Sequence, residues 1–455
     1  MNVEDQLRAA GRAVRDQVRD LPELDLTGSA SAQPGARPQP PRRWRAGWLI
    51  PLAAAAAVII VAATLVSVRS LSAPARPGTS QTGPATSGTA ANQVPAYYAG
   101  ITQTAAVSRD DAYGPSDVTI AETATGKTMF TIKPPKNTSF ANVTAAADDR
   151  TFVVSVAPFP PGAPLQAALG WDLLRISPGA TSYTLRRLSI PATPPNTLIG
   201  ALALSPDGTE LAVMIHSDTL ASIIEGTATL RIYSVATGQV LRTWQSESKQ
   251  SLDSIGTNYN PNGTVTWLAN GHGLVFAWDA VEQNPLKVTP EVRRLDLAKP
   301  GTGLLADSTP VVMITNGWVN QACDGLYPTA DGNGAVCGTG PGVAVTSTAT
   351  CHATLPPLAF RALSGDGGSF RVLYTLPSAK APKGKCVDEG VSVLWASPSG
   401  STLVGIVSTA VTSNPVRPGT YTSVIAVLAH GRWTPLPIRV PVSQVSLGQL
   451  AELAF

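Results

Sequence analysis

From about Val94 onward, apolar residues come in short runs broken by turn residues, many of them alternating with polar positions. This is the rhythm of strands, not of helices. The clearest unit is Leu198 to Trp244. Apolar runs at Ala201–Leu204 and Leu211–Ile215 flank Pro206-Asp207-Gly208. Proline presets φ, aspartate caps the turn and glycine takes positive φ, so the segment predicts a tight hairpin. A second hairpin follows, Leu230–Val235 and Val240–Trp244 about a turn at Thr237-Gly238. Four hairpin-joined strands in this length make one propeller blade.

Weaker copies recur along the chain. Val118–Ile132 repeats the second hairpin with the same Ala124-Thr125-Gly126 turn, and Val143–Val156 repeats the first, followed by Leu173–Leu188. Val265–Trp278 with Glu291–Leu297, and Val391–Val407 with Val424–Leu436, are further units. First-hairpin turns near Asp149, Asp207, Gly271 and Ser399 are spaced by 58, 64 and 128 residues. The last gap is twice the others, so a further unit is expected near residue 335. The expectation is an all-β propeller over 94–455 with six four-stranded blades, a seventh being left open. Spare length goes into loops on one rim.

The N-terminal pattern is different. Gly47–Val68 holds 22 consecutive residues without a charge. As a helix it spans about 33 Å, enough for a hydrocarbon core of roughly 30 Å. Arg42, Arg43 and Arg45 precede it with Trp44 and Trp48, which favours a cytoplasmic N-terminus and membrane lipid around residues 47–68. A signal peptide is the rival, with Ala73-Pro74-Ala75 as a weak cleavage site. The long apolar run and the charged segment before it favour an uncleaved anchor over 46–68. Val3, Leu7, Ala10, Val14, Val18 and Leu21 recur at helical spacing, predicting an amphipathic helix over 3–21 within a cytoplasmic segment 1–45. Residues 69–93, rich in Ser, Thr, Pro and Gly, read as a flexible extracytoplasmic linker.

Charge changes the picture little. Charged residues are 14%, with 40 Gly and 39 Pro, which suits strands and turns over surface helices. Beyond residue 45 there are 25 basic and 24 acidic residues, no footprint for nucleic acid. All four cysteines, Cys323, Cys337, Cys351 and Cys386, follow the apolar run. An even count in an oxidising compartment predicts two disulfides. Of three pairings, Cys323–Cys337 with Cys351–Cys386 closes the shortest loops. Their spacing argues against zinc.

The Ser205-Pro206-Asp207-Gly208 turn with the Ala236-Thr237-Gly238 turn resembles WD40-like and YVTN-type bacterial propeller repeats. It departs from the eukaryotic repeat, since Gly271-His272 and Trp278-Asp279 lie too close together. Anchor plus propeller, in an Arg- and Ala-rich chain, is also similar to actinobacterial membrane proteins. These resemblances imply a binding scaffold and carry no catalytic residue across.

Candidate chemistry is sparse. His216, His272, His352 and His430 stand in no nucleophile–base or metal-binding motif. Ser364-Gly365-Asp366-Gly367-Gly368-Ser369-Phe370 nearly matches the Asp-box of sialidase-type propellers and reads as a hairpin turn. Asp324, Tyr327, Asp331 and Asn333 crowd a cysteine-bounded stretch, the best candidate for a recognition loop. Calcium is a weaker reading of the same oxygens. No catalytic residue, cofactor or metal is expected. The first functional expectation is a non-catalytic binding or sensing scaffold for an extracytoplasmic protein or glycan. The second is transmembrane signalling to a cytoplasmic protein, such as a sigma factor, through residues 3–21. The third is an extracytoplasmic hydrolase or lyase.

Overall fold

The structure, a computed structural model, describes residues 93–103, 116–158, 168–195, 197–216, 225–226, 228–246, 250–251, 265–283, 286–299, 301–313, 324–339, 358–364, 370–376, 386–412, 421–438 and 453–455. The chain divides into two units, Met1–Ile50 and Pro51–Phe455, and every described residue belongs to the second. The expected helix 3–21, membrane segment 46–68 and most of the linker 69–93 lie outside the described residues. Among the described residues, no helix is long and apolar enough to cross a membrane.

The described strands form a six-bladed propeller of antiparallel sheets. Blade 1 contains β1 (Tyr97–Gln103), β2 (Ser116–Glu122) and β3 (Thr128–Ile132). Blade 2 is β4 (Thr138–Ala145), β5 (Thr151–Pro158), β6 (Gly170–Ile176) and β7 (Tyr183–Arg187). Blade 3 is β8 (Leu198–Leu204), β9 (Glu210–His216), β11 (Ala228–Ser234) and β12 (Val240–Gln245). A small ribbon beside it pairs β10 (Glu225–Gly226) with β13 (Gln250–Ser251). Blade 4 is β14 (Val265–Trp267), β15 (Gly273–Gln283), β16 (Leu286–Asp296) and β17 (Ser308–Met313). Blade 5 is β18 (Asp324–Pro328), β19 (Gly334–Thr339), β20 (Ala359–Ser364) and β21 (Phe370–Thr375). Blade 6 is β22 (Cys386–Ala396), β23 (Thr402–Thr412), β24 (Tyr421–Ala429) and β25 (Arg432–Pro435). The unit expected near residue 335 is blade 5, whose first hairpin turns at 329–333. Residues 365–369 join β20 to β21, the position read as a hairpin turn.

The final strand, β26 (Leu453–Ala454), pairs with β1 through Ala99–Ala454 and Gly100–Leu453. It completes blade 1 as that blade's first strand, so the sheet order is β26-β1-β2-β3. The ring is therefore closed by strands from opposite ends of the domain. We letter the strands of each blade A to D. The A strands pack against A strands of neighbouring blades, as β4 does with β8 and β8 with β14, so they surround the axis. The D strands face outward, and β7, β12 and β21 are mostly exposed.

Packing explains why many strands read as unbroken apolar runs. Successive side chains point to opposite faces of a strand, and here both faces are buried. In β9, Leu211, Val213 and Ile215 pack toward blade 2, whereas Ala212 and Met214 pack toward blade 4. In β5, Phe152, Val154 and Val156 join blade 1, and Val153 and Ala157 join blade 3. Each of the six blade junctions holds its own hydrophobic cluster. The junction of blades 6 and 1 is sealed by Trp395, Val404, Ile406, Ile425, Tyr98, Leu453 and Phe455. One buried tryptophan also bonds between blades: Trp267 Nε1 of blade 4 donates to the Ala203 carbonyl of blade 3 at 2.9 Å.

Candidate functional site

Antiparallel pairing places the A–B and C–D connections at one end of the strands and the B–C and D–A connections at the other. The two ends are built differently. The A–B connections 146–150, 205–209, 268–272, 329–333 and 397–401 are all five residues long. At the other end, connections vary from 284–285 to 340–358, with 246–264 and 436–452 also long. In blade 4, β15 and β16 run on past the sheet, and residues 279–283 pair only with 286–290. The β10–β13 ribbon arises from the same end, within the connections 217–227 and 246–264.

Four of the five A–B turns share one chemistry. In blade 3, Ser205 Oγ donates to the Asp207 carboxylate at 2.7 Å, which also accepts from Thr209 N–H at 3.1 Å and from its hydroxyl at 2.8 Å. Burial alone would raise the Asp207 pKa; the hydrogen bonds from Ser205 and Thr209 outweigh it and hold the carboxyl below its ordinary value. Asp148 accepts from Arg150 N–H, Thr151 N–H and the Thr151 hydroxyl. Asp331 accepts from the Thr329 hydroxyl at 2.7 Å and Asn333 N–H at 3.0 Å, and Asn270 Oδ1 accepts from His272 N–H at 2.9 Å.

At three junctions neighbouring turns are bonded to one another. Ala147 N–H donates to the Pro206 carbonyl, Ala269 N–H to Ala330, and Asp331 N–H to Pro398, at 3.2, 2.8 and 3.0 Å. The turn glycines fit the same contact: a Cβ on Gly332 would stand 2.7 Å from Leu268 Cδ2, and one on Gly400 would stand 3.0 Å from Thr329 Cγ2. This end of the ring is a rigid collar of turns.

The four residues expected to form a recognition loop are separated by this geometry. Asp324 begins β18 at the long-connection end, whereas Asp331 and Asn333 occupy the turn at the opposite end. Tyr327 lies between them in β18, 4% exposed and packed with Val336, Phe360 and Val391. The stretch is a blade hairpin whose Tyr327 and Val336 fill the junction of blades 5 and 6. Asp331 and Asn333 are exposed, with the Asp331 carboxylate engaged in its own turn.

Cys337 is fully buried on the blade 4 side of β19 and is disulfide-bonded. Cys323 and Cys351 lie outside the described residues, and Cys386 begins β22 with its side chain undescribed. His272 and His430 are exposed turn residues, His430 at a φ of 52°. His216 ends β9 with its side chain undescribed, and His352 lies outside the described residues. Among the described residues, no group of His, Cys, Asp and Glu is placed to hold a metal.

No protein-family model matches this chain, and no curated protein matches it. Among solved structures it is similar to the β-propeller domain of Cps50 (Swd1) from Myceliophteria thermophila, at 11% identity over 64% of this chain and 76% of that one, TM-score 0.32. It is similar to an oligogalacturonate lyase in complex with manganese, at 9% identity over 69% and 74%, TM-score 0.34. It is similar to the β-propeller domain of the trilobed protease from Pyrococcus furiosus, at 6% identity over 67% and 72%, TM-score 0.32. At these identities and TM-scores the likeness assigns no activity, and the six sheets and six junctions described above define this chain as a six-bladed β-propeller.

Proposed function

We propose that this chain is a single-pass membrane protein whose extracytoplasmic, WD40-like propeller is a non-catalytic binding scaffold. The observation that carries the reading is the unequal division of chain between the two strand ends: uniform five-residue A–B turns at one, connections as long as 340–358 at the other. A ring that places its longest connections at one end is built to present loops there. The 22-residue uncharged run at Gly47–Val68 supplies the anchor, with an amphipathic helix at 3–21 on its cytoplasmic side. An extracytoplasmic protein or glycan is the proposed ligand.

The test is fractionation and protease protection of the full chain in membranes, followed by capture on the folded protein. The expected result is a membrane-bound chain with its C-terminal domain accessible from outside and a retained protein or glycan. A mature chain recovered in the medium without its first seventy-odd residues would sink the anchor. Reproducible turnover of a glycan or ester by the purified protein would sink the non-catalytic reading.

The stripe Val3, Leu7, Ala10, Val14, Val18 and Leu21 favours a second reading, signalling to a cytoplasmic partner such as a sigma factor. Deleting residues 2–21 is then expected to change transcription; an unaltered transcript profile rejects it.

A further inference from the structure

Blade 1 has no A–B turn. Its A and B strands, β26 and β1, come from opposite ends of the domain, so the collar of turns has a gap there. Asp149 faces that gap from blade 2. The corresponding residue in blades 3 to 6 is glycine at positive φ: Gly208 at 71°, Gly271 at 71°, Gly332 at 77° and Gly400 at 66°. In blade 2 the same left-handed position is held by Asp149 at 60°, a conformation that costs a side chain more than glycine, though less for Asp and Asn than for others. Its carboxylate oxygen Oδ2 accepts a hydrogen bond from Ala96 N–H at 2.9 Å. The Ala96 carbonyl in turn accepts from Thr123 N–H at 2.8 Å. The residue immediately before β1 is therefore clasped on both sides, and two residues later Tyr98 packs against Phe455, ring centroids 5.6 Å apart.

We propose that Asp149 is a latch that completes the collar at the seam. Its carboxylate does between blades 2 and 1 what backbone bonds between turns do between blades 2 and 3, 4 and 5, and 5 and 6, and the left-handed backbone is retained for that contact. Ala96 is where the preceding residues join the ring, so the latch decides whether that junction is held to blade 2 or released from it. The latch is independent of the proposed ligand and of the anchor.

Two variants of the full chain test this, Asp149→Gly and Asp149→Asn, read by amide hydrogen exchange and thermal unfolding. Glycine suits the left-handed turn but removes the acceptor; asparagine keeps an acceptor and tolerates the conformation. For Asp149→Gly, exchange at Ala96 is expected to quicken about tenfold or more, the value of a hydrogen bond to a charged group. Ala99 and Gly100 in β1 are expected to follow, with Val213 of blade 3 unchanged. Asp149→Asn is expected to keep most of the protection. If Asp149→Gly leaves Ala96 protected and raises the unfolding temperature, Asp149 is only a strained turn residue and the latch is rejected. Loss of protection in Asp149→Asn equal to that in Asp149→Gly also rejects it.

Discussion

At the scale of the residue, the best-read feature is Asp207. Its role follows from Ser205 through Thr209 alone, because a turn aspartate bonds to its own neighbours. The folded carboxyl lies below its ordinary value of 3.8. A depressed acid contributes stability that is present above the unfolded pKa and lost as pH falls through the folded one. Replacing Asp207 with Asn, which can still accept these bonds, should flatten stability against pH below about 4. Asp207→Ala should cost about 1 kcal/mol at neutral pH, read by urea unfolding. An acid-limb profile identical to wild type in Asp207→Asn would show that the carboxylate contributes nothing there. Tyr327 was illegible by the same logic. The stretch around it is dense in Gly, Asp and Asn turn residues, and only the packing of blade 5 on blade 6 makes it core.

At the scale of the element, hairpins were visible and their contacts were not. The Ala-Thr-Gly turns could be read as turns from glycine, yet nothing local shows what they touch. A Cβ on Gly238 would stand 2.3 Å from the Ser189 carbonyl carbon, whereas one on Gly271 would meet nothing within 4 Å. Both have positive φ, 74° and 71°. Gly271→Ala should therefore cost only the left-handed penalty, about 1–2 kcal/mol. Gly238→Ala adds displacement of neighbouring backbone, for a total of about 3 kcal/mol or more. Equal losses in denaturant titrations would refute the close blade 2–blade 3 contact. The disulfides follow similar reasoning. A Cβ on Gly338 would touch the Val391 carbonyl oxygen, and Cys386 lies five residues before Val391 in an extended strand, roughly 17 Å away. Disulfide Cα atoms stay within about 7 Å, and Cys337 faces blade 4, away from blade 6. A non-reducing digest should therefore contain no Cys337–Cys386 peptide; the expected partner of Cys337 is Cys323. Finding Cys337 joined to Cys386 would overturn that placement. The long β15–β16 ribbon escaped the sequence reading because Asn284-Pro285 interrupts an otherwise mixed pattern.

At the scale of the whole molecule, the recurring hairpins pointed to six blades with a seventh left open, and the doubled gap between turns located the one near residue 335. Ring closure was not legible. Leu453–Ala454 is too short to carry a period, and its partner β1 lies at the other end of the domain. Yet Leu453, Ala454 and Phe455 are 7%, 0% and 0% exposed. Phe455→Ala should cost about 3–5 kcal/mol, and deleting 453–455 should broaden thermal unfolding and increase binding of a hydrophobic dye. A sharp, unshifted transition in the deletion would mean that the ring does not depend on β26. Burial also lifts the Tyr98 phenol above its ordinary value of 10.0. The seam's stability is then complete below that value and falls as pH rises through the higher folded one, so alkaline titration should loosen β1 before the other blades.

Closure by non-consecutive strands has a last consequence. Since β26 and β1 meet in one sheet, the order in which blades leave the ribosome is a matter of gene layout and not of architecture. A rearranged gene that splices residue 455 to residue 94 through a short spacer and starts anew inside one of the five-residue turns should encode the same six-sheeted ring.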